Sequence, residues 1–318
     1  MKAIRDAIYH RCLVSLPDGY KVRMLNDLMR MIPETTRRRV FIDLARVIDV
    51  SRVTIDGQYG EITGLIGDSS IFPTYIDSGV WSENINEVFI EFFKDKNSGT
   101  FLDIGANIGL TTLPVARNLK IDCHAIEPEP TNFELLQENV RRSLSRNVRL
   151  YNVAVFSEKT QLTFELASDN FGDHRIRIGN PDPVSGAFGE GRRRTIVVNG
   201  DRLDQILDVD RLQRPIAAKI DVEGAEYHLY KGGRTILQAA DLVIMEFWPY
   251  AINRMGGNVS ELLSMLEDDF PCAMFITGDQ GIDIKGVGPL AEIKEQLATR
   301  AKTAGPDEFT DLILARYC

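Results

Sequence analysis

From about residue 99 onward, the chain alternates short apolar runs with stretches in which apolar residues recur at helical spacing. This alternation predicts an α/β fold in which crossover helices join the strands of a parallel sheet. The predicted strands are residues 101–104, 122–126, 148–155, 216–221 and 242–247. A last apolar run at 309–317 predicts a further strand at the edge of the sheet.

Capping residues predict where two of the helices begin. Thr131 with Glu134 forms a capping-box pattern for the helix that follows Glu127. Asn258 with Glu261 repeats that pattern later in the chain. Both helices are therefore expected to start with a side chain that accepts a backbone hydrogen bond.

The N-terminal region has a different pattern. Apolar residues have helical spacing over residues 1 to about 50, a hairpin pattern follows at 53–66, and helical periodicity returns at 84–94. We therefore predict a helical and hairpin cap over residues 1–80 and an α/β domain over 81–318. A glycine-rich insertion loop at 167–194 interrupts the domain, and a loop of this length is usually functional or disordered.

Composition narrows the class of protein. The chain has 318 residues, 44% of them hydrophobic and 26% charged, as in ordinary soluble domains, and no apolar run approaches the length of a membrane span. A net charge of −9 opposes binding to nucleic acid. Arginine runs at 37–39 and 192–194 are typical of solvated faces, with a phosphate-bearing substrate as the alternative. The scattered cysteines predict free thiols and a cytoplasmic location; they are Cys12, Cys123, Cys272 and Cys318.

The loop after the first predicted strand suggests a nucleoside cofactor. Its sequence is Asp-Ile-Gly-Ala-Asn-Ile-Gly over residues 103–109, between a strand and a predicted helix. Glu127, which ends the next strand, lies about 20 residues further on, the spacing at which an acidic residue binds ribose hydroxyls.

The same loop distinguishes between cofactors. A dinucleotide fingerprint requires glycine at the first, third and sixth loop positions, but Asn107 and Leu110 occupy the last two. Asp103 would repel a phosphate, whereas it can accept a hydrogen bond from an ammonium group. These features favour S-adenosylmethionine, and an NAD-binding oxidoreductase is the alternative.

Acidic residues at the ends of two later strands are the candidate catalytic groups. Asp221 and Glu223 follow one predicted strand and Glu246 lies in the next, at the sheet edge where ligands bind in open α/β folds. Asp221 and His174 are candidate bases for removing a proton from the acceptor. Mg²⁺ held by Asp221 and Glu246 is a less favoured alternative.

Three segments make the chain resemble the FkbM family of S-adenosylmethionine-dependent methyltransferases. They are residues 101–109, residues 218–226 with the pattern Lys-x-Asp-x-Glu-Gly-x-Glu, and residues 242–246. The resemblance extends from about residue 79 to 247, and the middle segment is the most specific. It implies a class I, Rossmann-like methyltransferase fold, with a seven-stranded, mostly parallel sheet, helices on both faces and one antiparallel strand.

The resemblance also implies an activity and a set of cofactor contacts. The expected reaction is O-methylation of a hydroxyl on a sugar, glycan or natural product, with N-methylation as a rival. We also expect a small-molecule or glycan acceptor, and a homo-oligomer formed through the N-terminal helices is a further possibility. The predicted catalytic residues are Asp221, His174 and Glu246. The predicted cofactor contacts are Asp103, Gly105, Ala106, Asn107, Gly109, Glu127, Pro128, Asn152, Ala154 and Asp221.

Overall fold

The computed structural model describes residues 15–21, 23–24, 40, 43, 45, 47, 50–177, 189, 193–277 and 283–316. Most of the predicted N-terminal helical segment lies outside these residues, as do Cys12, Cys318 and the arginine run at 37–39. The chain divides into two compact units, Met1–Trp81 with Asp169–Gly172, and Ser82–Ser168 with Asp173–Cys318.

The first unit contains the predicted hairpin. Strands β1 (Arg52–Gly57) and β2 (Gly60–Leu65) pair antiparallel, and helix α1 (Ile71–Ser78) follows. Asp68 accepts hydrogen bonds from the backbone N–H groups of Ser70, Phe72 and Phe171. The segment Asp169–Gly172 is thereby fixed within this unit although it comes from the long loop of the other.

The second unit carries the α/β fold. Its helices are α2 (Glu83–Phe93), α3 (Thr112–Ala116), α4 (Pro130–Arg142), α5 (Leu203–Ile206), α6 (Glu226–Ala239), α7 (Pro249–Arg254), α8 (Val259–Asp269) and α9 (Leu290–Thr303). Its strands are β3 (Thr100–Ile104), β4 (Asp122–Ile126), β5 (Val148–Tyr151), β6 (Ala154–Val155), β7 (Thr160–Leu166), β8 (Arg175–Ile176), β9 (Arg194–Asp201), β10 (Ile216–Ile220), β11 (Leu242–Phe247), β12 (Cys272–Thr277), β13 (Asp283–Pro289) and β14 (Thr310–Ala315).

The main sheet has the strand order β13-β12-β14-β11-β10-β3-β4-β5. Strands β5, β4, β3, β10 and β11 are parallel, and β14 is antiparallel to both β11 and β12. This is the class I, Rossmann-like arrangement, so the predicted fold class is confirmed. Two details are wrong. The sheet has eight strands instead of seven because β13 pairs with β12, and β14 lies between β11 and β12 instead of at the edge.

Helices cover both faces of this sheet. On one face, Leu102 and Ala218 pack with residues of α6, α8 and α9. On the other, Phe101 packs with Phe89 and Phe93 of α2 and with Val115 of α3. Strands buried on both faces are expected to be apolar throughout, which β10 is except at Lys219.

Two of the predicted local features differ in the structure. The strand predicted over 148–155 divides, because β5 belongs to the main sheet while β6 pairs with β9 in a second sheet ordered β6-β9-β7-β8. Helix α4 begins at Pro130 with Glu129 as its cap, whose carboxylate accepts from the Asn132 N–H at 2.7 Å. The predicted Thr131–Glu134 capping box is therefore wrong. The Asn258 cap of α8 is confirmed, with Oδ1 3.1 Å from the Glu261 nitrogen.

The cysteines depart from the prediction at one position. Cys123 is a buried free thiol, as expected. Cys272 instead forms a disulfide bond, so the expectation of free thiols is wrong for this residue. The prediction of a reducing, cytoplasmic environment loses part of its support, because disulfides are rare there. Among the described helices, none combines the length and hydropathy that crossing a membrane requires.

Candidate active site

The turn after β3 is fixed tightly against the end of β10. Gly105 has a φ of +87°, and a Cβ atom built on it would lie only 1.7 Å from the Asp221 carbonyl oxygen. The Asp221 N–H donates to the Ile104 carbonyl at 3.0 Å. A side chain at position 105 would push these two segments apart, so glycine is required here for packing as well as for backbone conformation.

The backbone N–H groups of this turn are already occupied. Those of Gly105 and Ala106 both donate to the Ile126 carbonyl, at 3.0 Å each, and that of Gly109 donates to the Ala106 carbonyl. The Asn107 N–H donates to a Glu127 carboxylate oxygen at 2.9 Å, and the Ile108 N–H donates to the Asn107 side chain. A diphosphate cradle needs N–H groups that point to the ligand, and residues 105–109 offer none.

Glu127 closes the other side of the turn at the end of β4. It is 5% exposed, and its two oxygens accept the N–H groups of Asn107 and Glu129. Burial raises the pKa of Glu127 to about 8 despite these hydrogen bonds. The amide of the exposed Asn152 donates to the carbonyls of Glu127 and Pro128 at 2.9 and 3.1 Å, which holds this loop in place. Ala154 is buried in β6.

Asp103 is placed differently from its predicted role. It is 1% exposed, and the Thr112 hydroxyl donates to its Oδ2 at 2.5 Å. Its Oδ1 is buried, and burial raises the pKa of this carboxyl group. A ligand ammonium group finds almost no accessible surface on Asp103, so the contacts favour a role inside the protein over a direct ligand contact.

Three carboxylates meet at the carboxyl ends of β10 and β11. Oxygens of Asp221, Glu223 and Glu246 lie within 4.8 Å of one another, and all three residues retain some exposure. Burial first, and the neighbouring carboxylates second, raise the pKa values of Glu223 and Glu246 well above their ordinary value. Glu246 Oε2 is buried and has no hydrogen-bond partner among the described residues. Such a cluster is stable only if protons or a cation reduce its charge.

Asp221 differs from the two glutamates because it has a cationic partner. The Lys219 ammonium donates to Asp221 Oδ2 at 2.9 Å. The Lys219 side chain is 9% exposed and that of Asp221 40%, so the lysine lies behind the carboxylate. Lys219 is therefore a buried ion-pair partner of Asp221.

His174 does not have the surroundings of a base. Its Nδ1 accepts the Ala167 N–H at 3.0 Å, which places the proton of the neutral ring on Nε2. Burial first, and Arg193 second, lower the pKa of His174 to about 4. The adjacent Asp173 forms ion pairs with Arg175 and Arg193. These contacts weaken the case for proton transfer to His174.

The structure thus brings several of the predicted site residues together. Gly105, Asn107 and Glu127 form one side of the site through direct contacts, and Asp221 with Glu246 forms the other. Sequence reasoning places Glu223 at the strand end but does not select it as catalytic. The signal was present in the Lys-x-Asp-x-Glu pattern, which sets Glu223 two residues after Asp221.

A separate cleft of about 530 Å³ lies near the amino ends of β3 and β4, away from the acidic cluster. Its cationic lining residues are Lys94, Lys96, Arg117 and Lys120. Lys94 directly follows α2, where positive charge complements the helix dipole, and the lining also includes Asp95. We assign the cleft no function.

Comparisons with known proteins identify relatives of this region. A family model described as Methyltransferase FkbM domain matches residues 103–270, more than half of the chain. The hexuronic acid methyltransferase AglP of Haloferax volcanii is 29% identical over 147 residues, which are 45% of this chain and 54% of that protein. The chain therefore spans about half the length of this curated relative.

Solved structures show similarity at low sequence identity. An rRNA methylase from Streptococcus thermophilus has a TM-score of 0.39 at 10% identity, covering 73% of this chain and 93% of that one. The TYW2 protein of M. jannaschii, in complex with AdoMet, has a TM-score of 0.37 at 12% identity, covering 83% and 85% of the two chains.

Proposed function

Since this chain belongs to the FkbM methyltransferase family, we propose that it transfers a methyl group from S-adenosylmethionine to a hydroxyl of a sugar-like acceptor. The family match includes the turn at residues 105–109, called the cofactor turn below. It also includes Glu127 and the acidic cluster formed by Asp221, Glu223 and Glu246. The curated relative is named for a hexuronic acid, which supports a sugar as the acceptor.

The occupied N–H groups of residues 105–109 are the observation that carries the choice of cofactor. They argue against the diphosphate of a dinucleotide, and so against the NAD-binding alternative. The cluster of Asp221, Glu223 and Glu246 favours a ligand that brings positive charge, such as a sulfonium, because a cation lowers the cost of ionising neighbouring carboxyl groups. S-adenosylmethionine, when bound, supplies an electrophilic methyl group and requires no diphosphate cradle.

The residues of the turn and of β4 would hold that cofactor. We assign the ribose hydroxyls to the Glu127 carboxylate, whose second lone pairs can accept hydrogen bonds beyond those from Asn107 and Glu129. Gly105, Ala106, Asn107 and Gly109 are assigned to the methionine end. Pro128, Asn152 and Ala154 are assigned to the nucleoside side. Asp103 supports this site from inside the protein.

The acidic cluster would remove the proton from the acceptor hydroxyl. A base works best when its pKa lies near the working pH, and the raised pKa values of Glu223 and Glu246 move them in that direction. The acceptor oxygen forms a bond to the methyl carbon as the carbon–sulfur bond breaks, and the proton passes to a glutamate oxygen. Asp221, held by Lys219, would orient the acceptor hydroxyl.

The same charges argue against a carboxylate as the methyl acceptor. A uronic acid carboxylate would add a further acidic group to the cluster of Asp221, Glu223 and Glu246, where burial and neighbouring carboxylates already make negative charge costly. The product is therefore proposed to be a methyl ether. An N-methyltransferase remains the in-class alternative, because a cationic amine would also be attracted to this cluster.

A divalent cation is the second candidate arrangement of the cluster. Three carboxylate oxygens within 4.8 Å fit the oxygen ligands that Mg²⁺ takes, with waters and substrate oxygens completing its coordination. If the metal takes part, EDTA abolishes methylation and added Mg²⁺ restores it. If the glutamates act as bases without a metal, EDTA leaves the rate unchanged.

Binding and product analysis together test the proposal. Calorimetry with S-adenosylmethionine, S-adenosylhomocysteine and NADH should detect the first two and not the third. Methyl glycosides of a neutral hexose and of a hexuronic acid are then incubated with enzyme and cofactor, and products are examined by mass spectrometry for the gain of one CH₂. An alkali-stable product indicates an ether, whereas an alkali-labile one indicates an ester. Binding of NADH alone would overturn the proposal.

The expectations of a cytoplasmic location, of no nucleic-acid partner and of a homo-oligomer through the N-terminal helices stay predictions. The helices on which the oligomer depends lie largely outside the described residues. The division into a cap over 1–80 and a catalytic domain over 81–318, with an insertion loop at 167–194, is likewise proposed.

A further inference from the structure

Lys219 places an ammonium group inside the main sheet. It lies in β10, is 7% exposed, and pairs in register with Asp103 of β3. Because directly opposed residues of neighbouring strands project to the same face, the side chains of Lys219 and Asp103 lie on one side of the sheet. A buried charge of this kind is stable only when opposite charges and hydrogen bonds compensate it.

Three carboxylates provide that compensation. The Lys219 ammonium donates to Asp221 Oδ2 at 2.9 Å, and the charges of Asp103 and Asp311 act on it as well. Burial by itself lowers the pKa of Lys219, but the three acids outweigh burial and raise it above its ordinary value. Lys219 therefore has a hydrogen-bonded acidic partner at the end of its own strand and further acidic residues around it.

Asp103 connects this lysine to the helix behind the cofactor turn. The Thr112 hydroxyl donates to Asp103 Oδ2, and Thr112 is the first residue of α3. Asp103 Oδ1 is buried without a hydrogen-bond partner among the described residues, so Lys219 is the cation that offsets the charge of Asp103. Thr112 is thus hydrogen-bonded to Asp103, and Lys219 to Asp221, while the opposite charges of Asp103 and Lys219 link the two pairs.

We propose that Lys219 is a positioning residue that fixes the Asp221 carboxylate relative to the cofactor turn. The inference rests on the proposed function, because the orientation of Asp221 matters only if methyl transfer takes place at the ends of β10 and β11. Lys219 donates to Oδ2, which leaves Oδ1 of the 40%-exposed Asp221 side chain for the acceptor in the proposed reaction. Gly105 packs the cofactor turn against the Asp221 backbone. The position of the turn and the position of the Asp221 carboxylate are therefore linked.

A merely structural role predicts a different result. If Lys219 only balances buried charge, its loss lowers stability but leaves the turnover of the folded enzyme unchanged. If it positions Asp221, kcat falls while cofactor affinity is kept. Comparing the change in kcat with the changes in stability and in cofactor affinity therefore distinguishes the two roles.

The test compares Lys219→Met and Lys219→Arg, with Lys120→Met as a matched loss of an exposed lysine near the opposite end of the sheet. For Lys219→Met we expect kcat to fall about 100-fold, as for other small displacements of reacting groups. The affinity for S-adenosylhomocysteine should change less than about threefold. Lys219→Arg should recover most of the loss because a guanidinium can still donate to Asp221. Lys120→Met should match the parent enzyme.

Three outcomes can be told apart: a variant that does not fold, failure of the positioning role, and failure of the proposed function. If Lys219→Met does not fold because Asp103 is left uncompensated, the double variant with Asp103→Asn removes that charge and is assayed in its place. An unchanged kcat in either folded variant overturns the inference. If the parent enzyme binds no S-adenosylhomocysteine and methylates no glycoside, the proposed function fails first. Crystal structures then decide the positioning role, because an Asp221 carboxylate that keeps its orientation without Lys219 contradicts it.

Discussion

At the scale of single residues, the proposed site is built from groups that pack the fold and to which we also assign a part in the chemistry. Gly105 has no room for a Cβ against the Asp221 carbonyl, so the glycine that marks the cofactor turn also joins β3 to β10. Glu127 similarly holds the turn through Asn107 while keeping acceptor capacity for a ligand. A change at either position should therefore affect structure and binding together.

The cluster residues allow a cleaner separation of binding from chemistry. We expect Asp221→Asn and Glu223→Gln each to keep the affinity for S-adenosylhomocysteine and to lower kcat by about 100-fold or more, because each removes a carboxylate that orients the acceptor or takes its proton. Glu83→Gln, at an exposed position in the first turn of α2, is the matched control and should keep full activity. Unchanged turnover in both cluster variants would refute the assignment of this site.

The raised pKa of Glu127 predicts a pH dependence of cofactor binding. With a pKa of about 8, the carboxyl group is mostly protonated at pH 7 and becomes a stronger acceptor for ribose hydroxyls as pH rises. Affinity for S-adenosylhomocysteine, measured by calorimetry from pH 6.5 to 9, should increase over this range. Glu127→Gln cannot ionise and retains only the titration of the ligand's own amino group. Parallel pH profiles for the two proteins would exclude Glu127 from ribose binding.

At the scale of elements, helix α4 shows how a helix start can be assigned to the wrong residues. Glu129, and not Thr131, accepts the hydrogen bond that caps the helix, from the Asn132 N–H, and Pro130 occupies the first helical position. We expect Glu129→Ala to lower the free energy of unfolding by about 1 kcal/mol. Thr131→Ala, at an exposed position, should change it by less than about 0.5 kcal/mol. Urea denaturation measures both changes in the free energy of unfolding. A larger loss for Thr131→Ala than for Glu129→Ala would support the Thr131–Glu134 capping box instead.

Sequence patterns predicted the bounds of single strands better than they predicted which strands pair in the sheet. The bounds of β4 and β11 agree with the strands predicted at 122–126 and 242–247, because strands buried on both faces are rich in apolar residues. The run at 148–155 carries no mark of its division, since the pairing of β6 with β9 depends on a strand some 45 residues later. The same limit applies to the place of β14 between β11 and β12.

The candidate site was predictable to a similar extent. The turn, Glu127, Asp221 and Glu246 follow from where strands end, because strand ends converge in a parallel sheet. The burial of Asp103 and the backbone hydrogen bond to His174 do not follow from spacing, since they depend on Thr112 and on the turn at Ala167. Sequence therefore indicated the candidate site but did not distinguish the groups to which we assign a supporting role from those to which we assign a reacting one.

At the scale of the whole molecule, buried ionisable groups should shape stability against pH. His124 is 6% exposed and its Nδ1 is 2.8 Å from the Tyr151 hydroxyl, and burial lowers its pKa to about 4. A depressed histidine pKa gives stability that is present above the unfolded pKa of 6.5 and is lost as pH falls through 4. We expect His124 to account for about 3 kcal/mol of the loss over this range.

Denaturation curves at pH 7 and pH 4 check this expectation. The variant His124→Gln has no titrating ring and should lose less stability between these two values than the parent protein does. Any loss that both proteins share belongs to other groups, including His174, whose pKa is also lowered to about 4. An identical loss in the two proteins would show that His124 titrates normally in the folded state.

The position of β14 inside the sheet has a consequence for how the protein is made. Strands β12 and β13 precede β14 in the chain, yet β12 reaches β11 only through β14. As a ribosome synthesises the chain from its N-terminus, residues 272–289 emerge before the strand that must join them to the rest of the sheet. Until residues 310–315 are available, one edge of β11 is left unpaired, and that nascent intermediate is where chaperone binding or aggregation is most to be expected.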